Sequence, residues 1–208
     1  MRAGIFGGTF DPPHIGHLIL AAEALDQLHL DRLLWLFTPD PPHKQDQVIS
    51  PVKMRMELLR AAIARNAQFE LSRVELDRPG PHYALDTVRL LHQQMPGWEL
   101  IYLIGGDSLR DMPTWHQPQA LVRAVDQFGV MRRPGAEFDL PALEQILPDI
   151  TAKVAFLETP LVEISSTEIR ARLAAGRTVR YFLPPAVYRR ILGKGYYQSQ
   201  AATGDFEE

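Results

Sequence analysis

The chain has 208 residues, 46% of them hydrophobic and 23% charged, with no cysteine and a net charge of -3. That length can bury one substantial core. The charge speaks against a broad nucleic-acid footprint and for small anionic substrates, and the missing thiols exclude disulfides, thiolate zinc sites and cysteine nucleophiles.

No apolar run approaches the roughly 20 residues of a membrane span. The first residues lack the basic and apolar regions of a signal peptide, so a cytoplasmic protein with no membrane partner is expected. In chain order, residues 3–6 read as a short apolar strand. Gly7 and Gly8 read as a turn open to conformations that β-carbons forbid, and Ile15, Leu18, Ile19, Ala22 and Leu25 recur with helical period. Residues 32–37 form the next strand, Pro41-Pro42-His43-Lys44 an extended loop, and 52–64 a helix. A strand at 69–72, a turn at Pro79-Gly80-Pro81 and a helix from 83 to about 94 follow, the helix with Leu85, Val88, Leu91 and Met95 on its apolar face. Residues 100–104 (Leu-Ile-Tyr-Leu-Ile) are the clearest buried strand, stopped by Gly105-Gly106. The alternation continues with helices at 118–125 and 140–147, strands at 128–131, 154–157 and 161–164, and helices at 166–175 and 184–192. Such alternation predicts a doubly wound α/β fold with a parallel sheet, ligands lying at the carboxyl ends of its strands. One domain over 1–198 is expected, with 199–208 a disordered tail. There is no P-loop and no G-x-G-x-x-G after the first strand, which argues against a P-loop kinase or a simple dinucleotide-dependent dehydrogenase.

The segment Gly7-Gly8-Thr9-Phe10-Asp11-Pro12-Pro13-His14-Ile15-Gly16-His17 sets two histidines three residues apart at a strand-to-helix junction. Helix-end N–H groups and two imidazoles there suit a polyphosphate, although a glycine turn with helix-start histidines can also be structural. Ser165 with Glu168 forms a capping-box pattern that helix stability alone explains. Ser166 and Thr167 beside it, with Arg170 one turn on, add hydroxyls and a guanidinium that suit a second phosphate clamp. On their own residues, Lys44 reads as a solvated loop lysine, Asp11 as a turn residue, Trp115 as a core or stacking aromatic, and Asp107 as a helix cap or a ribose acceptor. His29, His43, His82 and His92 show no metal-ligand spacing and read as surface or loop residues; no protein metal site is expected.

G-G-T-F-D-P-P-H-x-G-H together with I-S-S-T-x-I-R resembles the H-x-G-H nucleotidyltransferase superfamily. The segments Pro41–Lys44, Tyr83-Ala84-Leu85-Asp86-Thr87, Gly105-Gly106-Asp107-Ser108-Leu109, Pro113-Thr114-Trp115 and Arg132-Arg133-Pro134-Gly135, with Leu183-Pro184 and Gly195-Tyr196-Tyr197, resemble its bacterial nicotinate-nucleotide adenylyltransferases. The resemblance implies a Rossmann-like nucleotidyltransferase fold that joins the adenylyl group of ATP to nicotinic acid mononucleotide, giving deamido-NAD and pyrophosphate. It implies catalytic roles for His17, His14 and Lys44. ATP would be bound by Gly7, Gly8, Thr9, Phe10, His14, His17, Gly105, Asp107, Ser166, Thr167 and Arg170, with Mg2+ carried by the triphosphate. The acceptor would be bound by Tyr83, Ala84, Asp86, Thr87, Trp115 and His116, with Trp115 stacking on the pyridine ring. Ala84 stands where relatives often have threonine and His116 where many have tyrosine, so nicotinamide mononucleotide, or dual specificity, is the alternative. A nucleotide sensor without turnover is the answer of a different class, and the presence of His14, His17, Lys44 and Arg170 counts against it. Oligomeric state is not legible in the sequence.

Overall fold

The computed structural model describes residues 1–39, 49–131, 139–160 and 162–198. Six strands, β1 (Arg2–Gly8), β2 (Arg32–Phe37), β3 (Phe69–Ser72), β4 (Glu99–Gly105), β5 (Gln127–Met131) and β6 (Val154–Leu157), form one sheet in the order β3-β2-β1-β4-β5-β6. Every ladder is parallel, with Ile5 opposite Leu34 on one side and Tyr102 on the other. The doubly wound α/β fold expected from the alternation is the one that forms. Strand order reverses between β1 and β4, so their adjacent carboxyl ends make the topological switch point where such sheets take ligands.

The helices are α1 (Ile15–Gln27), α2 (Val52–Ile63), α3 (Ala84–Gln94), α4 (Gly106–Asp111), α5 (Pro118–Ala124), α6 (Leu140–Ile146), α7 (Ile150–Lys153), α8 (Ser166–Ala174) and α9 (Pro185–Lys194). The described residues fall into two compact units, each built from discontinuous stretches of chain. The sheet unit draws on residues 1–9, 19–39, 66–131 and 139–160; the helical unit draws on 10–18, 49–65 and 162–198. Ile5, Leu34, Leu36, Leu100, Ile104, Phe128 and Val130 lead the core of the sheet unit. The run Leu33–Phe37 is buried throughout, because a parallel strand covered on both faces has no reason to alternate. Gly129 on β5 is a matter of space: a β-carbon there would lie 2.6 Å from Leu103 and 2.8 Å from Leu28. In the helical unit, Leu58 of α2, Ile169 and Leu173 of α8, and Val187 and Ile191 of α9 close a second core with Val179 and Leu183.

Several expectations need correction. Gly7 and Gly8 do not turn; they pair with Leu36 and Phe37 as the last residues of β1, and neither takes a positive φ. Over 162–164, the described part of the strand expected at 161–164, no strand forms and no ladder partner is found among the described residues. Gly105-Gly106 ends β4 but opens α4 at once, a helix too short to show a period. His82 is a loop residue as expected, though a buried one, whereas His92 sits half-buried on α3 with Nε2 2.9 Å from the Ala124 carbonyl. Lys44, His43 and the segment Arg132–Gly135 lie outside the described residues.

Candidate active site

In the helical unit, His14 directly precedes α1 and its carbonyl accepts from the His17 N–H at 3.0 Å. The two rings stack with centroids 3.7 Å apart. The His14 backbone N–H donates to Nδ1 of His17 at 3.1 Å. A backbone N–H can only donate, so Nδ1 of His17 is unprotonated and its proton sits on Nε2, which makes that atom a donor. Phe10 backs the ring edge-on at 5.2 Å and is itself held at φ 48°, a strained setting for a bulky residue. The glycine between the histidines has a spatial cause: a β-carbon on Gly16 would lie 3.1 Å from His14 Nδ1. Of the N–H groups at this helix start, that of Ile15 is already taken by the Phe182 carbonyl at 3.0 Å.

The second motif of this unit is joined to the first. Ser165 caps α8 by accepting from the Glu168 N–H at 3.1 Å, but the capping box is half made, because the Glu168 carboxylate accepts from Arg172 at 2.9 Å. The N–H groups of Ser166 and Thr167 meet no acceptor among the described residues, as expected for the first turn of a helix. The Ser166 hydroxyl donates to the Pro12 carbonyl at 2.8 Å, and Arg170 Nη1 donates to the Asp11 carbonyl at 2.7 Å. Arg170 also reaches the Thr167 hydroxyl at 3.4 Å. Asp11 is far more than a turn residue. It is 4% exposed, and its carboxylate accepts from the Tyr197 hydroxyl at 2.8 Å and the Ser50 N–H at 3.1 Å, with Arg170 at 3.9 Å. Burial and the Asp11 charge push the Tyr197 phenol well above its ordinary range. Sequence reasoning missed Ser50 and gave Tyr197 no role, although Gly195-Tyr196-Tyr197 was a visible motif.

The sheet unit carries the remaining site residues. Gly7, Gly8 and Thr9 end β1 or follow it, and Gly105 ends the neighbouring β4. A β-carbon on Gly7 would make only ordinary contacts, with Tyr102 Oη at 3.8 Å, so packing does not demand a glycine there. Asp107 does not cap α4, whose cap is Gly105; its side chain is 59% exposed with Arg110 at 3.5 Å. Tyr83 is the cap residue of α3 and its ring lies parallel to His116 at 4.0 Å. Trp115 packs half-buried against the core, edge-on to Tyr102 at 6.5 Å. Ala84 also packs on the core, Asp86 stands in the first turn of α3, and Thr87 is fully buried with its hydroxyl turned inward to Glu75 at 2.8 Å. Among the described residues no three His, Asp or Glu side chains come together as metal ligands, and no helix is long and apolar enough to cross a membrane.

The family model described as cytidylyltransferase-like matches residues 5–172. A protein of Thermomicrobium roseum named "Probable nicotinate-nucleotide adenylyltransferase" is 41% identical over 97% of this chain and 94% of its own length. One from Roseiflexus sp. with the same name is 44% identical over 94% of this chain and 97% of its own. The chain belongs to the nicotinate-nucleotide adenylyltransferase family. Its fold also matches that of the Plasmodium falciparum nicotinic acid mononucleotide adenylyltransferase complexed with NaAD, with a TM-score of 0.75 at 18% identity over 94% of this chain and 97% of the other.

Proposed function

We propose that this chain transfers the adenylyl group of ATP to nicotinic acid mononucleotide, forming deamido-NAD and pyrophosphate. The observation that carries the reading is the tie between the two phosphate-binding segments, Ser166 to Pro12 and Arg170 to Asp11, within one unit of a family member. A phosphate oxygen of the acceptor attacks the α-phosphorus in line, a new P–O bond forms, the bond to the β-phosphate oxygen breaks, and pyrophosphate leaves. The attacking phosphate is already ionised and needs no general base, so positioning and charge stabilisation carry the rate.

His17 donates from Nε2 to the α-phosphate as charge builds there, and His14 supports it by stacking and by its N–H. The open N–H groups of Ser166 and Thr167, with Arg170, hold the departing β and γ phosphates. Lys44 adds positive charge. Gly7, Gly8 and Thr9 offer backbone to the nucleotide, Phe10 supports His17, and Gly105 and Asp107 lie toward the ribose. The donor set of imidazole, guanidinium, hydroxyl and amide N–H suits phosphate oxygens, so magnesium enters with its substrate as MgATP. The acceptor ring stacks on Trp115, and backbone N–H groups near Tyr83–Thr87 and His116 satisfy its carboxylate.

Carboxylate and carboxamide share a shape but differ in hydrogen-bond demand, so a pocket of donors rejects the amide. Pyrophosphate release is measured with MgATP and either mononucleotide. A kcat/KM ratio of about tenfold or more in favour of the nicotinate form is expected. A ratio near one indicates dual specificity, and no release with either overturns adenylyl transfer.

A further inference from the structure

Glu75 is a carboxylate that the reaction does not use, yet it is 2% exposed in the sheet unit. It lies in the turn after β3, accepts from the Thr87 hydroxyl at 2.8 Å, and is also hydrogen-bonded by the Thr38 side chain. Thr87 Oγ1 in turn accepts from Arg78 Nη2 at 3.1 Å. The same guanidinium donates to the carbonyls of Pro81 at 3.0 Å and Tyr83 at 3.4 Å. One buried acid thus organises Arg78, Thr87 and the backbone from Pro81 into the first turn of α3. The Tyr83 ring lies on His116, Trp115 adjoins His116 in sequence, and Trp115 contacts Tyr102, whose phenol feels the Glu75 charge. Hydrogen bonds thus lead from Glu75 to Tyr83, and the Tyr83 ring carries the chain of contacts on to His116.

Stability alone does not single out a carboxylate network for this place. Burying a carboxylate is unfavourable, and well-packed apolar replacements of buried charged groups are often neutral or stabilising. We infer that Glu75 is a positioning residue for acceptor recognition, acting through Thr87 and Arg78 to fix Tyr83 and the Tyr83–His116 pair. This rests on the acceptor assignment above. It adds a residue that touches no substrate and governs only one of the two.

The test compares wild type, Glu75→Leu, Glu75→Gln and Thr87→Val by steady-state kinetics with ATP and nicotinic acid mononucleotide varied separately, alongside thermal melting. Losing a buried hydrogen bond to a charged group should raise the KM for the mononucleotide by about tenfold in Glu75→Leu and Thr87→Val, while the KM for ATP stays within about twofold. Melting temperature should fall in Glu75→Leu, which leaves Thr87, Thr38 and Arg78 without the carboxylate, so the deciding readout is the difference between the two KM values. Glu75→Gln keeps an oxygen for Thr87 and should recover most of the acceptor affinity. An unchanged mononucleotide KM, or equal losses for both substrates, overturns the inference while the adenylyl-transfer reading stands. If Glu75→Leu does not fold, Thr87→Val decides, since it removes only the hydroxyl. Absence of turnover by the wild type overturns the acceptor reading and this inference together.

Discussion

Replacing His17 by alanine isolates the donor on which the proposed chemistry turns. Because the His14 N–H occupies Nδ1, the only proton His17 offers as a neutral ring is on Nε2, and the variant deletes that one donor. A preorganised donor aimed at charge that develops in the transition state corresponds to about 10²–10³ in kcat, or ~2.7–4 kcal/mol. The variant also leaves the His14 N–H without its acceptor. His17 is only half-buried, so water can replace the lost partner, and the stability cost should stay near 0.5–1 kcal/mol. For a chain of this size that corresponds to a fall in Tm of no more than about 4 °C. Kinetics should therefore show a kcat lower by two to three orders of magnitude, an ATP KM changed by less than about threefold, and a nearly unchanged melting curve. A kcat within about tenfold of wild type would refute the assignment, and so would an ATP KM that rises as steeply as kcat falls.

Arg170→Ala should weaken ATP and pyrophosphate about tenfold or more in calorimetry and leave AMP almost unchanged, since a charged phosphate contact is lost; equal losses for all three would show that breaking its bond to the Asp11 carbonyl had disturbed the whole loop. Burial, opposed by hydrogen bonds and Arg78, holds the Glu75 carboxyl above its ordinary range, so the folded chain keeps this proton more tightly than the unfolded chain does. The resulting penalty is absent below the ordinary carboxylate pKa and grows as pH rises toward the shifted value. Glu75→Gln should therefore gain stability relative to wild type as pH rises above the ordinary carboxylate range in urea titrations, and a pH-independent difference would contradict this.

The parallel sheet was legible because buried strands write themselves as apolar runs: 32–37 and 100–104 lack polar alternation, and both are central strands. What failed to show were features decided by space or by distant partners. Gly-Gly at 7–8 suggested a turn, yet β2 offers two more ladder positions and the strand continues. Residues 161–164 have strand-like composition, yet the described part, 162–164, pairs with no described neighbour. The histidine tautomer, the demand for Gly16 and the stacking of Tyr83 on His116 are three-dimensional facts that no periodicity encodes. In sequence Asp11 looks local because it precedes two prolines, whereas its partners Ser50, Arg170 and Tyr197 lie 39, 159 and 186 residues away.

That last separation bears on how the chain comes to life. On a ribosome Asp11 emerges 186 residues ahead of the phenol that anchors it. A nascent chain that has not yet reached Tyr197 therefore carries the H-x-G-H segment behind a loop that still lacks this anchor. A cut anywhere before Tyr197 would be felt at residue 11.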